Sequence, residues 1–133
     1  MKIYKSINEF NTLKSNLPAL TLVPTMGNLH MGHISLIEAA KKVNNPIIST
    51  IYINKLQFND KNDYLKYPKT IDDDIELLDK HGCDFLLIPD DSILKNILTI
   101  KAPNKSKKLC GINRPGHFDG VLTIVNKLFD IIN

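Results

Sequence analysis

Apolar positions fall along this chain in two alternating rhythms. Short apolar runs stand at Leu20–Val23, at Ile47–Ile53, which is rich in β-branched residues, and at Asp84–Ile88, and each predicts a buried strand. Between them the apolar spacing lengthens to the helical period. Ser6-Ile-Asn-Glu9 reads as a capping box opening a helix towards Lys14. Ile34, Ile37 and the Ala39-Ala40 pair mark a helix that ends near Asn44-Asn45, before Pro46. Thr70-Ile-Asp-Asp73 reads as a second capping box, with a helix to about His81 and Gly82 at its C-cap. Asp72, Asp73 and Asp74 fall in its first turn, where the helix dipole favours anions.

Weaker signals complete the pass. Pro24 and Pro89 should end the first and third strands, and Ile3-Tyr4 is a scrap of strand. Asn59 to Lys69 reads as a loop with room for one helical turn, Asp91–Ile97 as a short helix and Leu98–Lys101 as a strand. Val121, Ile124, Val125, Leu128 and Ile132 mark a last helix, and Leu122, Phe129 and Ile131 widen its apolar face. A helix apolar over so much of its surface is expected to pack against a partner chain or to stay partly exposed. Strands alternating with helices argue an α/β domain, doubly wound on a Rossmann-like parallel sheet.

Composition narrows the function classes. A length of 133 residues suits one domain, and 43% apolar content suits a real core. A formal charge of +3 with both signs interspersed is too mild for nucleic acid and suits small anionic substrates. Cys83 and Cys110 fit no metal or redox spacing and read as reduced thiols. No stretch approaches the length of a membrane span, and the start has no signal-peptide pattern. The expectation is a cytoplasmic protein with no membrane partner.

The chemistry concentrates between the first long strand and its helix, where Gly27, His30, Gly32 and His33 stand together. A helix N-terminus offers backbone N–H groups and partial positive charge to an anion. The glycines would let the backbone approach a bulky ligand. Histidines three apart can share a face of the first turn and donate to a phosphate as charge builds on it. A bare H-x-x-H also suits two surface histidines at a strand–helix corner. Zinc is disfavoured, because the spacing is not i, i+4 and no third ligand stands nearby.

The full run Val23-Pro-Thr-Met-Gly-Asn-Leu-His-Met-Gly-His33 resembles the ATP-binding signature of the pantoate–β-alanine ligases. Its H-x-G-H core is shared with the wider nucleotidyltransferase superfamily. Asn54-Lys-Leu-Gln-Phe58 and Arg114-Pro-Gly-His-Phe-Asp-Gly120 resemble two further motifs of that family, and Tyr67-Pro-Lys-Thr70 with the acids after it extends the match. The resemblance implies condensation of pantoate with β-alanine to pantothenate through a pantoyl adenylate, with release of pyrophosphate and AMP. It implies that Met26, Gly27, Asn28, Leu29, His30, Met31, Gly32 and His33 line ATP, with His33 as proton donor and His30 stabilising the same charge. It gives Gln57 to pantoate and β-alanine, and Asn54 to the support of that pocket. It allows minor roles for Arg114 and His117 at the anionic site, and for Asp73 or Asp74 near a magnesium ion that accompanies the nucleotide. A homodimer is implied as well.

Three departures qualify this. Lys55 stands where the family usually has proline, and Cys110 where it often has glutamate. The family's later Gly-x-Lys-Asp-x-x-Gln and Ser-Ser-Arg segments, which supply an ATP-binding lysine and a second pantoate glutamine, have no counterpart here. Residues 1–133 therefore read as the family's N-terminal nucleotide-binding domain, incomplete at its C-terminal end, and this chain alone is not expected to make pantothenate. Another H-x-G-H nucleotidyltransferase and a non-catalytic nucleotide-binding or dimerisation module are the alternatives.

Overall fold

The computed structural model describes residues 1–108 and 110–133; the side chains of Lys107 and Cys110 fall outside what is described, and with the latter the reading of Cys110 as a reduced thiol. Four strands, β1 (Lys2–Tyr4), β2 (Thr21–Thr25), β3 (Ile47–Ile51) and β4 (Phe85–Leu87), form one sheet in the order β1-β4-β3-β2. All the pairings are parallel. The helices are α1 (Ile7–Lys14), α2 (Met31–Lys41), α3 (Lys61–Lys66), α4 (Ile71–Lys80), α5 (Cys110–Asn113) and α6 (His117–Ile132).

The strand pleat sends alternate residues to opposite faces, and each face has its own helical layer. Ile48 and Leu87 join Tyr4, Phe10 of α1 and Ile124, Leu128, Ile131 and Ile132 of α6. Ile47, Ile51 and Leu86 join Ile37 and Ala40 of α2 and Leu78 of α4. Every residue of β3 is buried, as a central strand covered on both faces requires. The architecture is thus the expected doubly wound α/β sheet. Cys83 lies in the second layer, and burial pushes its thiol pKa up.

Several local expectations are corrected. Pro24 lies inside β2 rather than ending it. β2 is hydrogen-bonded to β3 alone in the sheet, and an outer strand tolerates a residue without an N–H. Leu98–Lys101 forms no strand; the N–H of Ile100 donates to Thr123 Oγ1 at 2.9 Å and that of Ala102 to Asp119 Oδ1 at 2.7 Å. Side chains of α6 thereby take the bonds a neighbouring strand would have taken. Asp91–Leu94 is a 3₁₀ turn. Ser6 caps α1 by accepting from the Glu9 N–H at 3.1 Å, but the Glu9 carboxylate reaches back to the Lys5 N–H rather than to that of Ser6. The expected cover of α6 by a partner is also reduced. Its main apolar face is buried in its own chain, and only Leu122 and Phe129, at 37% and 56% exposure, remain large exposed apolar residues on it.

Candidate active site

The turn that follows β2 is held by α4, which shares a helical layer with α2. Asp74 of α4 is buried, and its carboxylate accepts from the Leu29 N–H at 2.7 Å and the Asn28 N–H at 3.0 Å. Thr70, read from sequence as a helix cap, instead donates its hydroxyl to the same carboxylate at 3.1 Å. Gly27 has φ +79°, and a Cβ there would lie 2.9 Å from Asp74 Oδ2 and 3.2 Å from Ile51 Cγ2. Gly27 is therefore required by its left-handed backbone and by the carboxylate beside it. A Cβ on Gly32 would lie 2.8 Å from His30 Cε1. Both glycines make room for protein groups.

His30 is the N-cap of α2, and its Nδ1 accepts from the Gly32 N–H at 3.0 Å. His33 answers it: its Nδ1 accepts from the His30 N–H at 3.3 Å, and the ring centroids stand 4.2 Å apart. The two imidazoles thus form a reciprocal cap, and part of the helix N-terminus is already satisfied by His30. The consequence is chemical. Each Nδ1 accepts, so each neutral ring carries its proton on Nε2 and can donate from there. Burial lowers the pKa of His33, the neighbouring His30 lowers it further, and Asp74 opposes both. His33 is therefore neutral at neutral pH.

Beyond the end of β3 the backbone forms a 3₁₀ turn, Lys55–Gln57, capped by Asn54. Asn54 is buried and fully engaged. Its Oδ1 accepts from the Leu56 N–H at 3.2 Å, and its Nδ2 donates to Gln57 Oε1 at 2.9 Å and to the Gly120 carbonyl at 3.0 Å. With its oxygen occupied, Gln57 presents its NH₂ as the free end. The start of α6 presses on this turn. A Cβ on Gly120 would lie 2.4 Å from the Leu56 carbonyl oxygen. His117, the first residue of α6, places Nδ1 2.9 Å from the Gln57 carbonyl. Lys55 lines neither cleft; its Nζ pairs with Asp91 at 2.9 Å, and Asp91 also accepts from the Tyr52 hydroxyl at 3.1 Å.

Two clefts meet over these residues. The smaller, about 240 Å³, includes Met26, His33, Asn54, Gln57, Tyr52 and Tyr67 in its lining. The larger, about 510 Å³, includes Met26, Gln57, Tyr67, Arg114 and His117. Met26, Gln57 and Tyr67 belong to both. The structure thus brings together Met26, His33, Asn54, Gln57, Arg114 and His117. Leu29 packs on the core, Gly27 is buried, and Asn28 and Met31 are exposed.

Asp73 is exposed, and both oxygens of Asp74 hold the loop. No group of three or more His, Cys, Asp or Glu able to hold a metal ion occurs among the described residues. The buried role of Asp74 was not anticipated, though a signal existed. Ile71, Asp74, Ile75 and Leu78 share the apolar phase of α4, and an acid in that phase needs a buried partner.

Comparison with known proteins gives this geometry a lineage. The family model for pantoate-beta-alanine ligase matches residues 2–133. A pantothenate synthetase of Chromohalobacter salexigens is 39% identical over 130 residues, covering 94% of this chain and 46% of the relative. One from Legionella pneumophila is 40% identical over 139 residues, covering 99% and 55%. The crystal structure of a pantoate-beta-alanine ligase from Francisella tularensis, complexed with beta-gamma ATP and beta-alanine, superposes with a TM-score of 0.91 at 40% identity, covering 99% of this chain and 53% of that one. The pantothenate synthetase of Thermus thermophilus gives 0.84 at 34% identity, covering 99% and 49%. The chain spans about half the length of the curated relatives it matches.

Proposed function

The chain belongs to the pantoate–β-alanine ligase family, and on that premise we propose that its joined clefts serve the ATP-dependent condensation of pantoate with β-alanine. The pantoate carboxylate attacks the α-phosphate of ATP, giving pantoyl adenylate and pyrophosphate. The β-alanine amine then attacks the acyl carbon, giving pantothenate and AMP. One observation carries this reading: the Nε2–H of His33 and the free amide NH₂ of Gln57 line a common cleft with Met26.

Residues Met26 to His33 receive ATP in this reading. His33 donates to the phosphate as charge develops on it, and His30 stabilises that charge while holding His33 in register. Gln57 directs its NH₂ to pantoate, and Asn54 holds Gln57 in that rotamer. Both oxygens of Asp74 hold the loop and Asp73 is exposed, so a magnesium ion accompanying ATP would be carried by the nucleotide's own phosphates, whose charge it would offset. The cations that line the clefts are Lys66 and Arg114, both in the larger cleft and not in the one His33 lines. Among the described residues no lysine or arginine lines the cleft of His33, so in this reading a triphosphate there draws its counter-charge from elsewhere. We place the enzyme in the cytoplasm as a homodimer, as the family resemblance implies. Among the described residues no helix is long and apolar enough to cross a membrane.

The test is a panel of acceptors with labelled ATP, run on the protein that carries this chain. AMP release that needs both pantoate and β-alanine is the expected result. AMP or pyrophosphate release with a different acceptor, and none with pantoate, would refute the reading.

A further inference from the structure

His33 and His117 line the clefts, His30 packs its ring against His33, and the three are not chemically alike. Nδ1 of His30 and of His33 each accepts a backbone N–H. Nδ1 of His117 instead faces the Gln57 carbonyl at 2.9 Å. A carbonyl can only accept, so this Nδ1 must carry the ring proton. In the neutral ring the lone pair then lies on Nε2. No described residue is hydrogen-bonded to His117 Nε2, and the ring lines the larger cleft. The joined clefts therefore hold an imidazole donor, His33, in the smaller and an imidazole acceptor, His117, in the larger, with Met26, Gln57 and Tyr67 lining both.

We infer that His117 is the proton acceptor of the amide-forming step, and that the larger cleft is where the amine substrate sits. This rests on the condensation proposed above. The amine enters as its free base after losing one proton to solvent. Its nitrogen lone pair forms the C–N bond to the acyl carbon of the adenylate, leaving a cationic nitrogen. His117 Nε2 takes a proton from that nitrogen. The C–O bond to the phosphate breaks with its electron pair, AMP leaves as the phosphate monoester, and the imidazolium returns its proton to solvent. Arg114 on the same cleft offers a guanidinium fork to the carboxylate of an amino-acid substrate. The acceptor is preorganised, because the bond to Gln57 fixes both the ring and its tautomer.

Two substitutions separate a base from a mere prop. His117→Asn keeps a donor where Nδ1 stood and removes the lone pair at Nε2. His117→Gln removes the Nδ1 bond and the base together. In the complete enzyme, His117→Asn is expected to slow amide formation from the adenylate about a hundredfold more than it slows adenylation, with His117→Gln at least as slow. Adenylation is read by pantoate-dependent exchange of pyrophosphate into ATP. Amide formation by His117→Asn at the parent rate would overturn the inference, as would equal slowing of both steps. A parent enzyme that shows no pantoate-dependent exchange is a failure of the proposed function and is recognised as such. The tautomer is then read independently by nitrogen NMR of the imidazoles in the 133-residue chain. The expected pattern is Nδ1–H at His117 and Nε2–H at His30 and His33. An Nε2–H signal at His117 would overturn the inference whatever the kinetics.

Discussion

Replacing Asp74 tests the claim that a buried carboxylate on α4 builds the nucleotide loop. In Asp74→Asn the side chain keeps its volume, but one of its ends becomes a donor. That end would face either the Asn28 or the Leu29 N–H, which the carboxylate accepts at 3.0 and 2.7 Å. One charge-assisted bond is lost, and a second donor is pressed against the first. A hydrogen bond to a charged group contributes about 1.5–3 kcal/mol. Relief of the carboxylate's desolvation offsets part of this, and the exposed Asn28 can turn its N–H to water. The expected net cost is about 2 kcal/mol for Asp74→Asn and about 3 kcal/mol for Asp74→Ala, which strands both N–H groups. Such a change is large against a typical total of about 5–15 kcal/mol. Urea unfolding at neutral pH should show it as a lower midpoint at constant m-value. The loss should extend to ATP affinity, since the loop carries Met26 to His33. Stability within about 0.5 kcal/mol of the parent, the range of an ordinary surface change, would refute the reasoning.

Other perturbations follow from the same geometry. His30→Ala and His33→Ala should each slow adenylation in the complete enzyme about a hundredfold, with a smaller change in ATP binding; parent rates would remove both roles. Gly120→Ala places a methyl 2.4 Å from the Leu56 carbonyl oxygen, so it should both destabilise the fold and weaken pantoate binding through Gln57, read by thermal unfolding and titration. The lowered pKa of His33 means that the unfolded chain takes up this proton before the folded one. Stability should therefore be flat above the ordinary histidine value and fall as pH drops from there through the lowered folded value. The gap between the parent and His33→Gln should narrow over that window in urea titrations.

The α/β alternation was legible because burial on both faces leaves runs of β-branched residues, as at Ile47–Ile51. The histidine turn was legible from residue types at fixed spacing. What could not be read was anything that depends on groups far apart in sequence. Gly27 answers to Asp74, whose carboxylate also holds the Asn28 N–H across 46 residues, and His117 answers to Gln57 across 60 residues. The surroundings of the two glycines were hidden in the same way: the nearest neighbour of each missing Cβ is a side chain of this protein, Asp74 for Gly27 and His30 for Gly32. Thr70 matched a capping pattern, but a buried carboxylate one turn away was the better partner for its hydroxyl. Likewise Leu98–Lys101 matched a strand pattern, yet Thr123 and Asp119 on α6 satisfied the adjoining backbone first.

The central claim is that this site joins an acid to AMP before it joins it to an amine, and heavy oxygen placed in the pantoate carboxylate tests it most directly. In the complete enzyme with ATP and β-alanine, attack of that carboxylate on the α-phosphate leaves one labelled oxygen in AMP when the amide forms. Mass spectrometry of the nucleotide should find one heavy atom per AMP released, matched by one pantothenate. Unlabelled AMP, or label in inorganic phosphate with ADP as the co-product, would contradict the account.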